Sequence, residues 1–157
     1  MPRHFDGTLP GESLRIGIAL ARFNEAVTAR LLEGAVAALR ERGVADDAID
    51  VATVPGAFEL PLVAQRLAVS GRYAAVVALG AIVRGETPHF DFVAGEAAAG
   101  LARTALLHDL PVAFGVLTTD TMEQALERAG GAHGNKGYDA AVAALEMVGV
   151  LHAIQRG

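Results

Sequence analysis

Four times along this chain a short apolar run gives way to a polar or glycine-rich interruption and then to a stretch with apolar residues at helical spacing. The runs are Leu14 to Ala21 (LRIGIALA), Ile49 to Val54, Tyr73 to Leu79 (YAAVVAL) and Val112 to Thr118. A short run without polar alternation reads as a strand covered on both faces, and such strands belong to parallel sheets whose crossovers are helices. Repeated strand–helix alternation therefore predicts an α/β fold around a four-stranded parallel sheet with helices on both faces.

The interruptions carry the expected punctuation. Asn24 reads as the cap of a helix from Glu25 to about Arg42, with Val27, Leu31, Leu32, Ala35, Val36 and Leu39 at helical spacing and Gly43 as its stop. Pro55-Gly56 ends the second run, and Glu59-Leu60-Pro61 opens a helix that reaches Ser70-Gly71. Thr87-Pro88 has the form of an N-cap followed by Pro at the first helical position, ahead of an Ala-rich helix extending to about Leu107. Asp120-Thr121-Met122-Glu123 fits a D-x-x-E capping box for a short helix to Ala129. Gly130 to Gly137 reads as a glycine-rich loop before a last helix ending near Gln155. The sum is a flavodoxin-like three-layer α/β/α sandwich forming one domain over residues 1–157, with no linker, repeat or second domain. Residues 1–13 lack periodicity and read as a tail, either disordered or ordered by a neighbouring subunit.

Composition narrows the function classes. Hydrophobic residues make up 52% of the 157 and charged residues only 20%, which is apolar for a small monomer and points to oligomerisation. No uninterrupted apolar run reaches the roughly 18 residues of a membrane span, and the first six residues lead into no signal-type core, so a cytoplasmic location is expected. The chain has no cysteine, which removes disulfides, thiolate nucleophiles and cysteine-based zinc sites. Its five histidines show no HxH or HxxxH spacing, so no metal is expected. A net charge of -5 argues against a nucleic-acid surface, and any anionic ligand must meet a local cluster of positive groups.

In open parallel sheets ligands sit outside the carboxyl ends of the strands. Here those ends are followed by Arg22-Phe23-Asn24, Pro55-Gly56-Ala57-Phe58-Glu59, Gly80 to His89, and Thr118-Thr119-Asp120. Together these loops offer aromatics for stacking (Phe23, Phe58), an acceptor for hydroxyls (Glu59), a run of amides able to cradle an anion (Gly85 to Thr87) and a base (His89). Each has an ordinary reading too: Phe23 and Phe58 as core, His89 as a first-turn histidine, Arg84 and Arg128 as solvated charges. A position just after a strand favours function for the phenylalanines, and a helix N-terminus favours the neutral imidazole of a base at His89. Gly134-Asn135-Lys136-Gly137 is no P-loop, since no Ser or Thr follows Lys and a helix rather than a strand precedes it. No G-x-G-x-x-G follows the first strand, and Ser13 and Ser70 are poorly placed for a serine triad.

In this order the motifs resemble one family closely. They are Arg22-Phe23-Asn24, Val54 to Glu59 (VPGAFE), Gly80 to Asp91 (GAIVRGETPHFD), Phe114 to Thr118 (FGVLT), Glu127 to Gly130 (ERAG) and Gly134 to Gly137 (GNKG). That family is 6,7-dimethyl-8-ribityllumazine synthase, and the likeness covers nearly the whole chain after the tail. It implies a cofactor-free condensation of 5-amino-6-(ribitylamino)uracil with 3,4-dihydroxy-2-butanone 4-phosphate, the penultimate step of riboflavin biosynthesis, releasing phosphate and water. By the same resemblance Phe23, with Asn24 beside it, stacks on the pyrimidine, and Ala57-Phe58-Glu59 holds the ribityl chain. The backbone of Ala81-Ile82-Val83 reads the pyrimidine edge, Gly85, Glu86 and Thr87 hold the phosphate, and His89 is the base and proton shuttle. Arg128 is implied as the phosphate clamp. Phe114, Arg128 and Lys136 resemble positions supplied by an adjacent subunit or the site's rim, so the site is expected between subunits.

The resemblance further implies pentamers assembled into a hollow icosahedral shell, with riboflavin synthase as a candidate protein partner. The short Gly130 to Gly137 loop is similar to that of shell-forming members. Gly131-Ala132 departs from the Thr and basic residue of many relatives, and Glu86 puts a carboxylate beside the phosphate cradle. Two other readings compete: an archaeal-type riboflavin synthase, which would dismutate the lumazine, and a flavin or lumazine carrier or inactive shell, in which His89, Arg128 and Lys136 would have no required role.

Overall fold

A computed structural model describes residues 1–8 and 11–157. Its elements in chain order are β1 (Ile16–Ala21), α1 (Glu25–Glu41), β2 (Ile49–Val54), α2 (Leu60–Val69), β3 (Ala75–Val83), α3 (His89–His108), β4 (Val112–Thr119), α4 (Met122–Glu127), β5 (Ala129–Gly131), β6 (Gly134–Asn135) and α5 (Lys136–Arg156). The first four strands form one parallel sheet in the order β2-β1-β3-β4. This is the flavodoxin-like arrangement expected from the apolar runs.

The sheet separates two apolar cores. Along β3 the side chains of Ala75, Val77, Leu79 and Ala81 go to one side, where α1 and α5 meet them through Val27, Leu31, Ala35, Leu39, Ala141 and Leu145. Val76, Ala78 and Ile82 go to the other, against Leu60 and Ala64 of α2 and Leu101 of α3. The two-residue period of a strand thus accounts for an all-apolar run, since both faces need covering.

Several boundaries differ from the sequence reading. Strand β3 continues four residues beyond Leu79 because Gly80 to Val83 pair with Val116 to Thr119 on β4. The capping box lies one residue later than Asp120: Thr121 Oγ1 accepts from the Gln124 N–H at 3.1 Å, and Gln124 Oε1 accepts from the N–H groups of Asp120 and Thr121. Gly130 to Gly137 is not an open loop but a small antiparallel β5–β6 hairpin, with Lys136 and Gly137 already in the first turn of α5.

Helix α5 has the length and mean hydropathy, 1.3, of a membrane-crossing segment, although no uninterrupted apolar run announced one. Its Ala140, Ala141, Ala144 and Leu145 are buried against the core around α1 and the sheet. Within the proposed tail, residues 9 and 10 lie outside the described residues. Residues 1–8 carry no regular secondary structure, and Gly11 donates its N–H to the carbonyl of Arg42, the residue after α1, at 2.7 Å.

Candidate active site

In this strand order β1 leads to β2 on one side and β3 pairs with β1 on the other, so the crevice between the ends of β1 and β3 is a switch point. A cleft of about 670 Å³ opens there. It is lined by Phe23 and Asn24 after β1, by Ala57, Phe58 and Glu59 after β2, by Ala81, Ile82 and Val83 of β3, and by Gly85, Thr87 and His89 at the start of α3.

Local sequence explains these positions. Asn24 adopts a left-handed conformation, φ 65°, which a short polar side chain tolerates. It does not cap α1 with its side chain, as expected from sequence; instead its Nδ2 donates to the Ala81 carbonyl at 2.9 Å, while its own carbonyl accepts from Val27 and Thr28. That turn leaves Phe23 70% exposed at the cleft mouth, and Phe58 is 58% exposed opposite the same cavity. Neither is a core residue.

Glu59 ends a single turn of 3₁₀ helix, Ala57–Glu59, and its Oε1 accepts the Gly56 N–H at 2.9 Å. One carboxylate oxygen is thereby held by backbone, and the other is left to meet a hydroxyl.

Helix α3 starts one residue later than the sequence suggested, with Pro88 rather than Thr87 at the cap position. Thr87 Oγ1 lies 3.5 Å from the His89 nitrogen, a distance at the limit of a hydrogen bond. Among the described residues, no backbone or side-chain acceptor takes the N–H groups of Gly85, Glu86 or Thr87. These amides precede a helix start, the geometry that favours anions. Glu86 is exposed and does not line the cleft, so its carboxylate stays out of the cavity that Gly85 and Thr87 border.

Phe90, Phe92 and Val93 also line the cleft. The sequence held a signal for the last two, since His89 at i, Phe92 at i+3 and Val93 at i+4 share one helix face.

Phe114, Arg128 and Lys136 stand elsewhere. They border a separate pocket of about 480 Å³ on β4, the edge strand, together with His133 and Asp139. Arg128 Nη1 donates to the Gln124 carbonyl at 3.0 Å and lies 3.6 Å from Glu127 Oε2. Asn135 caps α5 by accepting the Tyr138 N–H at 3.0 Å, which sets Lys136 in the first turn beside this pocket. The candidate residues therefore fall into two half-sites on one chain. Among the described residues no three histidine or carboxylate side chains converge as a metal-binding group.

A doubly wound α/β protein with a switch-point cleft, exposed aromatics and free amides at a helix start has the form of a small-ligand-binding α/β protein. Residues 13–152 match the family model described as 6,7-dimethyl-8-ribityllumazine synthase. The protein of that name from Desulfatibacillum aliphaticivorans is 56% identical over 148 residues, which cover 94% of this chain and 96% of the relative. The chain belongs to the 6,7-dimethyl-8-ribityllumazine synthase family of riboflavin biosynthesis.

Proposed function

We propose that the chain condenses 5-amino-6-(ribitylamino)uracil with 3,4-dihydroxy-2-butanone 4-phosphate without a cofactor, and that both half-sites take part. The observation that carries this is the convergence of Phe23, Phe58, Glu59, Gly85, Thr87 and His89 on one switch-point cleft.

In this reading the pyrimidine stacks on Phe23, with Asn24 fixing the turn beside it and the strand backbone at Ala81, Ile82 and Val83 facing its edge. The ribityl hydroxyls run past Ala57 and Phe58 to the unengaged oxygen of Glu59. The phosphate sits against the amides of Gly85, Glu86 and Thr87, and Arg128 supplies the fixed charge and fork that suit a phosphate.

The amine of the pyrimidine adds to the butanone carbonyl and loses water to give a Schiff base. A proton then leaves C3 as the phosphate departs from C4, and the resulting enol takes a proton at its terminal carbon to become a methyl ketone. The ribityl-bearing nitrogen adds to that carbonyl and loses a second water to close the ring. Each step moves a proton at the same few atoms, and in this reading His89 carries it, supported by its position in the first turn of α3 and in the lining of the cleft.

Phe114, Arg128 and Lys136 do not share a cavity with His89 on the same chain. A complete site then needs two subunits, with the Arg128 half of one meeting the His89 half of the next. Exposed Leu62, Phe92, Leu106, Leu107 and Met147 support such assembly, since a chain this apolar gains by covering them. Pentamers built into an icosahedral shell in the cytoplasm are the assembly we favour, with riboflavin synthase as the candidate partner protein. Sedimentation showing pentamers alone would remove the shell.

The reaction is tested by mixing purified protein with the two substrates and following lumazine fluorescence, with chromatographic identification of the product. A rate above the spontaneous background supports the condensation. Background rate alone, or riboflavin formed from added lumazine, would refute it.

A further inference from the structure

Arg84, directly after β3, lines neither the His89 cleft nor the Arg128 pocket, but borders a smaller hollow shared by Phe90 from the first and Arg128 from the second. Its N–H continues the strand pairing to the Thr119 carbonyl at 2.8 Å. Its guanidinium then makes three contacts: Nε donates to Asp120 Oδ1 at 2.9 Å, Nη1 stands 3.5 Å from Asp91 Oδ1, and Cζ lies 4.4 Å from the centre of the Phe90 ring. Phe90 and Asp91 directly follow His89 in the first turn of α3. Asp120 directly precedes Thr121, the cap of α4.

A guanidinium is a planar fork of donors with a face that stacks on aromatic rings, so one group can hold two carboxylates at its edge and a ring on its face. Each ion pair alone is weak, because the Arg84, Asp91 and Asp120 side chains are 46%, 63% and 69% exposed. Their joint effect is directional. A Cβ built on Gly85 would meet no atom within 4 Å apart from its chain neighbours, and the amides of residues 85–87 make no hydrogen bonds among the described residues, so these residues do little to aim the helix that follows.

We infer that Arg84 is a positioning residue: by holding Phe90 and Asp91 against Asp120, it fixes the direction of the first turn of α3 and with it the His89 imidazole. The inference rests on the proposed proton-transfer role of His89. A displacement of a reacting group by about 1 Å can cost up to roughly 100-fold in rate.

Arg84→Ala, Arg84→Lys, Asp91→Asn, the double variant R84A/D91N and His89→Ala are compared as assembled full-length protein, in steady-state kinetics with both substrates. Arg84→Ala is expected to lower kcat about tenfold while each KM stays within about twofold and the melting temperature is unchanged. Lysine keeps the charge but cannot bridge both carboxylates and cover the ring, so Arg84→Lys should recover less than half of the loss. Asp91→Asn should lower kcat in the same direction, and the double variant should be no slower than Arg84→Ala, since the two residues act as one unit. A kcat within twofold of wild type in Arg84→Ala, full recovery by lysine, or multiplying losses in the double variant would each overturn the inference. If Arg84→Ala fails to assemble, Asp91→Asn decides, and wild-type turnover in that variant overturns it. Wild-type turnover in His89→Ala overturns the base assignment and this inference with it, whereas an impaired His89→Ala beside a normal Arg84→Ala overturns this inference alone.

Discussion

The side-chain amide of Asn24 donates to the main-chain carbonyl of Ala81 at 2.9 Å, tying the loop after β1 to the end of β3 across the mouth of the switch-point crevice. Asn24 stands at φ 65°, so one residue combines a left-handed turn with a cross-strand tie. The turn sets Phe23 outward and the tie fixes its distance from the β3 edge.

Replacing Asn24 separates these two effects. Asn24→Ala loses the hydrogen bond and keeps the strained φ, at an expected cost of about 1–3 kcal/mol. Asn24→Gly loses the same bond but adopts the turn freely, and it should be the more stable of the two in urea unfolding. Both should raise KM for the pyrimidine substrate. Equal stability of the two variants would show that the turn carries no strain.

How far the sequence foretold this site depends on the range of the interactions involved. Tyr73 to Leu79 announced a buried strand because two covered faces leave a purely local mark, an unbroken apolar run. Its true end at Val83 depends on pairing with β4, some 35 residues later, and nothing local in Gly80-Ala81-Ile82-Val83 separates strand from loop. Asn24 was legible as a residue that begins a helix, whereas its partner Ala81 is remote in sequence and could not be read. Phe23 and Phe58 could be suspected from their place after strands, and their exposure follows from turns that only the folded backbone defines. The division between the His89 cleft and the Arg128 pocket is tertiary altogether, because it depends on which side of β4 each loop falls.

Removing the imidazole should act on turnover before affinity. His89→Ala is expected to lower kcat by about 10²–10⁴-fold with a smaller change in either KM, as for a general acid–base group. Stopped-flow and steady-state fluorescence measure both quantities, and an unchanged kcat would strip His89 of the role.

Two impaired variants, assayed at a butanone phosphate concentration too low to saturate Arg128→Ala, should rescue each other if the half-sites meet between subunits. Arg128→Ala alone should chiefly raise KM for the butanone phosphate. Unfolded together with His89→Ala and reassembled at equal amounts, about a quarter of interfaces in a closed ring would join two intact half-sites, and activity should return in that proportion. No recovery in verified mixed assemblies would place the whole site within one chain.

Gly137 lies where α5 crosses α1, and an added Cβ would collide with the Leu31 carbonyl. Alanine is otherwise the better helix former, by about 0.5–1 kcal/mol. The two effects oppose, and backbone overpacking should win: Gly137→Ala is expected to be net destabilising by about 1–3 kcal/mol in denaturant unfolding. Since Lys136 is the preceding residue, the variant should also weaken whatever Lys136 contacts. A stabilised Gly137→Ala would mean that the helices part without cost.

At the opposite end of the sheet, the Tyr73 hydroxyl donates to Asp50 Oδ2 at 2.5 Å, with Arg15 3.4 Å from the same oxygen. The Tyr73 hydrogen bond, with lesser help from Arg15 and against a desolvation penalty, holds the Asp50 carboxyl below its ordinary range. The same hydrogen bond, together with burial, raises the Tyr73 phenol above its own. A depressed carboxylate adds stability that is present above the unfolded-state value of about 4 and is lost as pH falls through the lower folded value. A raised phenol adds stability that is present below about 10 and is lost as pH rises through the higher folded value. Tyr73→Phe should therefore lower the melting temperature most between about pH 5 and 9, and the gap from wild type should close on both sides of that window. Thermal melts across pH 3 to 11 read this directly, and a gap independent of pH would show that the tyrosine acts by packing alone.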